Sequence, residues 1–267
     1  MDASDYRYEH FTTKRLLQDI RFGRSAPRQG EALPDFDLAT TDGGRVNKAD
    51  LVGDRPLLLI MGSITCPMTA SAMPALKRLY AEFSERIAFI TVNVREAHPG
   101  ENFPQPGTLE EKLEHARALR DMYQIPWPVA VDDIDGTLHR ALGGKPNAAF
   151  LVDREGNVVF RAHWARDEGG LRRALESVSR GESPVKGESR AMLLPVARAM
   201  GHVHRVMGIA GPQARRDLLL AGTAMALAGM VAAALRPLSP DWRGIAASAV
   251  VGVATAAEVG SVAWWIL

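Results

Sequence analysis

The sequence predicts an α/β domain, a mixed sheet sandwiched by helices, followed by a C-terminal hairpin of two transmembrane helices. Three observations predict it. Apolar strand-like runs alternate with helical segments between residues 29 and 181. That alternation closes on a β-hairpin and a helix, which makes the sheet mixed. Charge then almost vanishes: from Leu218 to Leu267 the charged residues are Arg236, Asp241, Arg243 and Glu258.

Residues 1–28 form a lead segment, and the domain proper covers 29–181. Short strands over 34–38 and 45–47 flank the turn Asp42-Gly43-Gly44. The uninterrupted apolar run 56–62 is a buried strand, and a helix runs from Pro67 to about Phe83. Pro67 suits the first helical position, where its missing N–H costs nothing. A second apolar strand occupies 87–94. Thr108-Leu109-Glu110-Glu111 is a capping box that opens a helix reaching Tyr123. A short strand follows over 129–132, and two more, 148–153 and 158–163, flank the turn Arg154-Glu155-Gly156-Asn157. A last helix covers about 168–180.

Residues 182–216 read as a linker and an amphipathic helix. Met192, Leu193, Val196, Met200, Val203 and Met207 recur at mostly helical spacing, punctuated by Arg190, Arg198 and Arg205. Such a helix lies on a membrane surface or packs on the globular domain. Within 217–267, the stretches 218–235 and 244–257 are uncharged and are joined by a turn with two prolines. A span needs about 20 mainly apolar residues, which the first stretch nearly supplies. Gly222, Gly229, Gly244, Gly252 and Gly260 allow close helix contact in lipid, and Glu258 faces the partner helix. Trp242 and Trp264-Trp265 sit where interfacial aromatics belong. Arg215-Arg216 before the first span place the domain in the cytoplasm, at the membrane face. The alternative is a soluble helical pair buried in a homodimer.

A net charge of +1 gives no case for nucleic acid as partner. One cysteine in 267 residues excludes an internal disulfide, and the first residues lack the basic-then-apolar order of a signal peptide. That cysteine, Cys66, stands in Gly62-Ser63-Ile64-Thr65-Cys66-Pro67, where the buried strand meets a helix. A helix N-terminus favours the thiolate, so Cys66 reads as a nucleophile toward a halogen, a peroxide oxygen or a disulfide sulfur. Ser63 and Thr65 are placed to donate hydrogen bonds to it. His98, at the end of the neighbouring strand, is the candidate for proton transfer, with Glu96 orienting it. With no second cysteine, the oxidised sulfur waits as a sulfenic acid or a mixed disulfide. An external thiol such as glutathione or thioredoxin then finishes the cycle. Nothing calls for a bound cofactor or metal. Lys145 and Arg140 read as surface cations.

These residues resemble the thioredoxin superfamily. Cys66-Pro67-Met68-Thr69 occupies the place of its C-x-x-C, with Thr69 for the second cysteine. Pro74 lies where the active-site helix commonly kinks, and Gly143-Gly144-Lys145-Pro146 resembles the cis-proline loop. Within the superfamily the chain is similar to the iodothyronine deiodinases. Their Gly-Ser-x-Thr-Sec-Pro frame matches residues 62–67 with cysteine for selenocysteine, and their Glu-Ala-His matches Glu96-Ala97-His98. Their later acidic stretch resembles Asp132-Asp133-Ile134-Asp135. Ile64 replaces a second cysteine usual in that family, Pro106-Gly107 stands where it has a second histidine, and its membrane anchor is N-terminal. The resemblance implies a thiol oxidoreductase acting on a small electrophile. Two other readings stay open. One is a one-cysteine peroxidase of the peroxiredoxin type: Ser63 matches that family's hydroxyl and residues 30–38 its usual opening, although Leu59 replaces its proline. The other is a non-catalytic, membrane-tethered binding module of the same fold.

Overall fold

The computed structural model describes residues 5–51 and 53–252. In chain order the elements are α1 (Thr13–Asp19), β1 (Asp37–Thr40), β2 (Arg45–Asn47), α2 (Lys48–Leu51), β3 (Leu57–Gly62), α3 (Pro67–Phe83) and β4 (Ala88–Asn93). Then come α4 (Leu109–Tyr123), β5 (Val129–Val131), α5 (Thr137–Ala141), β6 (Ala149–Val152), β7 (Val158–Ala162), α6 (Glu168–Ser179) and β8 (Glu188–Ser189). Three helices follow, α7 (Leu193–Ala210), α8 (Pro212–Ala221) and α9 (Thr223–Ala234). Helical turns resume over 240–252, where the described residues end.

The strands form one mixed sheet in the order β2-β1-β5-β4-β3-β6-β7-β8. β3 is central, parallel to β4 and antiparallel to β6. Both β3 and β4 are buried along their whole length, because helices or loops cover each face of the sheet. Alternation assigns their side chains. Leu58, Ile60, Phe89 and Leu151 pack with Leu76 and Phe83 of α3, Leu119 of α4 and Leu171 of α6. Leu57, Leu59, Met61, Ile90 and Phe150 face the other way, onto Leu33, Phe36, Leu138 and Leu142.

The local signals act as expected within the domain. Pro67 opens α3 and Pro74 lies inside it. Thr108 closes the capping box of α4, and Gln124 ends that helix in the left-handed region at φ 48°. The linker near 188 adds a short parallel strand, β8, beside β7.

The C-terminal hairpin of transmembrane helices is overturned. Among the described residues, no helix is long and apolar enough to cross a membrane. The stretch 218–235 is broken at Gly222, which ends α8 and begins α9. The twelve residues of α9 reach only about 18 Å, against a hydrocarbon core of about 30 Å. The second stretch begins inside the turns at 240–252, and its remainder, with Glu258, Gly260 and Trp264-Trp265, lies outside the described residues. Two of those glycines, Gly229 and Gly244, and Gly201 of α7 serve close packing within the protein instead. A Cβ on Gly201 would lie 1.7 Å from the Pro240 carbonyl oxygen, and one on Gly244 would lie 2.3 Å from that of Ala197. Gly229 meets Val203 in the same way, at 2.6 Å. Asp241 pairs with the buried Arg166, tying the last turns to the domain. α7 lies against α3 and α9, which is the packed alternative for the amphipathic helix.

This backbone contact is testable. Gly201→Leu forces α7 and the turns at 240–252 apart and should cost about 1–3 kcal/mol in urea unfolding. An unchanged urea midpoint would show that the two segments do not touch in solution.

Candidate active site

The site is assembled at the C-terminal ends of the parallel strands β3 and β4, where open α/β sheets bind ligands. Residues 63–66 cross from β3 to α3, and Cys66 is the N-cap of α3 in extended backbone. Its own N–H donates to the Ser63 carbonyl at 3.3 Å. β4 continues alongside, with Val94 N donating to Gly62 O at 3.0 Å. Past Val94 the chain stays buried but leaves the sheet, so its N–H groups need other acceptors. Side chains supply four in succession. Arg95 N donates to Tyr6 Oη at 3.2 Å, Glu96 N to Gln105 Oε1 at 2.9 Å, Ala97 N to Ser63 Oγ at 3.3 Å and His98 N to Thr65 Oγ1 at 3.2 Å.

Glu96 is fully buried. One carboxylate oxygen accepts from Thr65 Oγ1 at 2.6 Å and from Thr65 N at 3.1 Å. The other lies 3.1 Å from His115 Nδ1, on α4. A carboxylate only accepts, so Nδ1 carries the hydrogen. Glu96 therefore orients His115 and not His98. The result is a continuous hydrogen-bonded line, Thr65–Glu96–His115, from beside Cys66 to a histidine whose side chain retains 12% exposure. His115 was legible in principle: Lys112, Ala116 and Leu119 mark the inward face of α4, and His115 flanks that face.

The hydroxyls divide differently from the sequence expectation. Ser63 and Thr65 brace the 96–98 backbone. Hydrogen bonds to the Cys66 sulfur come from Thr69, through its N–H and hydroxyl, and from Met68 N–H. Thr69 Oγ1 accepts from Ser63 N and Asn147 Nδ2, both at 3.4 Å, which leaves its own hydrogen for the sulfur. These donors favour the thiolate, yet burial outweighs them and pushes the Cys66 thiol up to about 11. Cys66 shares an apolar cluster with Tyr8 and Phe11 of the lead segment, Trp164, and Met200, Val203 and Met207 of α7. The helix N-terminus alone does not make this thiol acidic.

His98 is also buried, and burial holds it down to about 3, a neutral imidazole whose Nδ1 has no hydrogen-bond partner among the described residues. Its ring lies against Phe11 at a centroid distance of 4.1 Å, with the two planes tilted by 48°. In this arrangement His98 faces Phe11, and the Glu96 carboxylate is engaged with Thr65 and His115. Pro146 is buried next to the end of β3, where Asn147 Nδ2 donates to Met61 O at 3.0 Å. No peptide bond among the described residues is cis, so the bond between Lys145 and Pro146 is trans. Lys145 is buried and not a surface cation: Nζ donates to Asp19 O at 2.5 Å and lies 3.9 Å over the Trp164 ring. Asp132 caps α5, accepting from Leu138 N at 3.1 Å and His139 N at 2.8 Å.

The sequence model of the iodothyronine deiodinase family matches residues 9–176, well over half of the chain. The chain belongs to that family. It is 28% identical over 149 residues to thyroxine 5-deiodinase of Gallus gallus, covering 52% of this chain and 57% of that protein. It is 29% identical over 119 residues to type II iodothyronine deiodinase of Aquarana catesbeiana, covering 40% and 45%. The chain thus spans about half the length of the curated relatives it matches. It is also 27% identical over 105 residues to the thioredoxin-like protein YneN of Bacillus subtilis, covering 39% and 54%. Among solved structures, an uncharacterized conserved protein from Geobacillus kaustophilus superposes with a TM-score of 0.51 at 17% identity, over 63% of this chain and 90% of that one. A hypothetical protein from Sinorhizobium meliloti does so with 0.51 at 20%, over 63% and 93%. The α/β domain, with its mixed sheet, has the thioredoxin-like fold. Within the deiodinase family this member carries cysteine in the frame of residues 62–67, and His115 inside α4 is the histidine that meets the Glu96 carboxylate.

The buried His98 has a consequence for acid stability. The unfolded chain takes up its proton near pH 6.5, whereas the folded histidine resists it until about 3. Stability present above pH 6.5 is therefore lost as pH falls through that window. Thermal unfolding should show a shallower acid slope in His98→Phe, which keeps a ring against Phe11. Equal slopes in the two proteins would mean that His98 titrates normally.

Proposed function

We propose that the chain is a thiol-dependent oxidoreductase that reduces a carbon–halogen bond with Cys66 as nucleophile, recycled by an external thiol. The observation that carries this reading is the Thr65–Glu96–His115 line, which ends beside the cysteine and reaches toward solvent. Membership of the deiodinase family supports it. The Cys66 sulfur attacks the halogen, forming an S–X bond as the C–X bond breaks. The carbon takes a proton in place of the halogen, balancing the one the thiol loses, and His115, held by Glu96, is the group assigned to supply it. A thiol such as glutathione or thioredoxin then displaces halide from sulfur, leaving a mixed disulfide. A second thiol releases free Cys66 and the external disulfide. The sum is R–X plus two thiols giving R–H, HX and a disulfide, which balances in atoms and electrons. Thr69 in the second C-x-x-C position supplies a hydrogen bond but no sulfur, so the second and third steps need an outside thiol.

The test is halide release from an iodinated phenol by the full chain with dithiothreitol as reductant. Cys66→Ser should abolish it. His115→Phe should lower kcat by about 10²-fold, the usual worth of a positioned proton donor, with KM little changed. Saturable peroxide consumption without halide release would overturn this reading in favour of the peroxidase. Loss of neither activity in Cys66→Ser would overturn both.

A further inference from the structure

The lead segment, whose Tyr8 and Phe11 share the apolar cluster of Cys66, is held from its other side by α8. α8 is fixed to the core: the Glu101 carboxylate caps its N-terminus, accepting from Gln213 N at 3.0 Å, and Asn102 N donates to Ala210 O at 3.0 Å. The lead segment hangs on α8. Asp217, buried in α8, accepts from Phe11 N at 3.0 Å and lies 3.1 Å from His10 Nδ1. Gln213 Nε2 donates to Glu9 O at 2.7 Å, and Thr13 Oγ1 donates to Ala221 O at 3.3 Å. On its inner side the same segment sets Phe11 on the His98 ring and Tyr8 Oη on the Ala97 carbonyl at 2.8 Å. Tyr8 and Phe11 share an apolar cluster with Cys66 and Met68. The outer side faces water: the His10 side chain is 60% exposed.

A thiol with 2% exposure touches neither a substrate nor a reductant. We propose that residues 8–13 are a strap that gates Cys66, latched to α8 by the Asp217 carboxylate, with Phe11 plugging the face of His98 in the closed state. This inference rests on the reading of Cys66 as the nucleophile. Lifting the strap breaks a small set of hydrogen bonds, leaves β3 and α3 intact and exposes the sulfur together with the aromatic surface of His98. The Thr65–Glu96–His115 line shares no residue with the strap.

The experiment is alkylation of the full chain by iodoacetamide at pH 8.5, followed by intact mass; the single cysteine makes each adduct unambiguous. Wild type should react slowly. Asp217→Ala removes hydrogen bonds to a charged acceptor and should raise the rate about tenfold or more. Asp217→Asn, which keeps one acceptor, should fall between the two, and Phe11→Ala should also accelerate the reaction. Hydrogen exchange separates a gate from general loosening. Amides of residues 9–13 should exchange faster in the Asp217 variants while those of β3 stay protected. Equal alkylation rates in wild type and variants, or acceleration of β3 exchange along with the strap, would overturn the proposal. Alkylation reads access and not turnover. Faster alkylation without any thiol-dependent turnover would therefore overturn the proposed function and leave the gate standing.

Discussion

A buried carboxylate sets the geometry on which the rest depends. Glu96 sits just beyond the end of β4 with no exposure, and an ion removed from water persists only if its lone pairs are met by donors. Thr65 supplies two and His115 one, which joins the β3–α3 junction, the loop after β4 and α4 at a single point. The backbone around it follows. Ser63 and Thr65, one residue to either side of Ile64, accept from Ala97 and His98, so the two segments leaving the parallel strands are stitched together by side chains where the sheet can no longer do it. Removing any member strands a buried charge or an N–H, which explains why these small polar residues lie in an otherwise apolar centre.

Two opposed effects meet at Cys66. The start of α3 offers N–H groups and the positive end of a helix dipole, worth about 0.3–1 kcal/mol to a nearby negative charge when exposed. Burial opposes ionisation and wins, raising the thiol to about 11. The residues that share its apolar cluster come from parts of the chain far from residue 66, the lead segment and α7 among them. The reactivity of the cysteine is thus a property of its cover as much as of its helix.

The C-terminal helices show how composition can point to the wrong arrangement of an apolar segment. Small apolar residues suit close helix contact in lipid, but they suit close contact within a protein equally well. Gly201 and Gly244 let two backbones approach to within a Cβ of each other, and Gly229 lets α9 come close to the Val203 side chain. Hydropathy reports that a segment avoids water. It does not report whether lipid or protein takes the place of water, and the break at Gly222 fits short helices folded back on one another.

The sequence by itself determined the α/β domain, nearly element by element, because its signals are local: apolar runs for β3 and β4, Pro67 at a helix start, a capping box at Thr108, turns at Asp42-Gly43 and Glu155-Gly156. It also located Cys66 at a strand–helix junction and drew Glu96 and His98 to the same edge, since parallel strands end side by side. Only the tertiary structure decided what those groups do to one another. Glu96 chose His115 over His98 because α4 presents that ring to the carboxylate, 19 residues along the chain. His98 is buried because Phe11, from the lead segment, lies against it. Lys145 was drawn inside by Asp19 and Trp164. Each outcome rests on contacts between segments distant in sequence, and burial, which sets the charge state of a thiol, a histidine or a lysine, is created by those contacts alone.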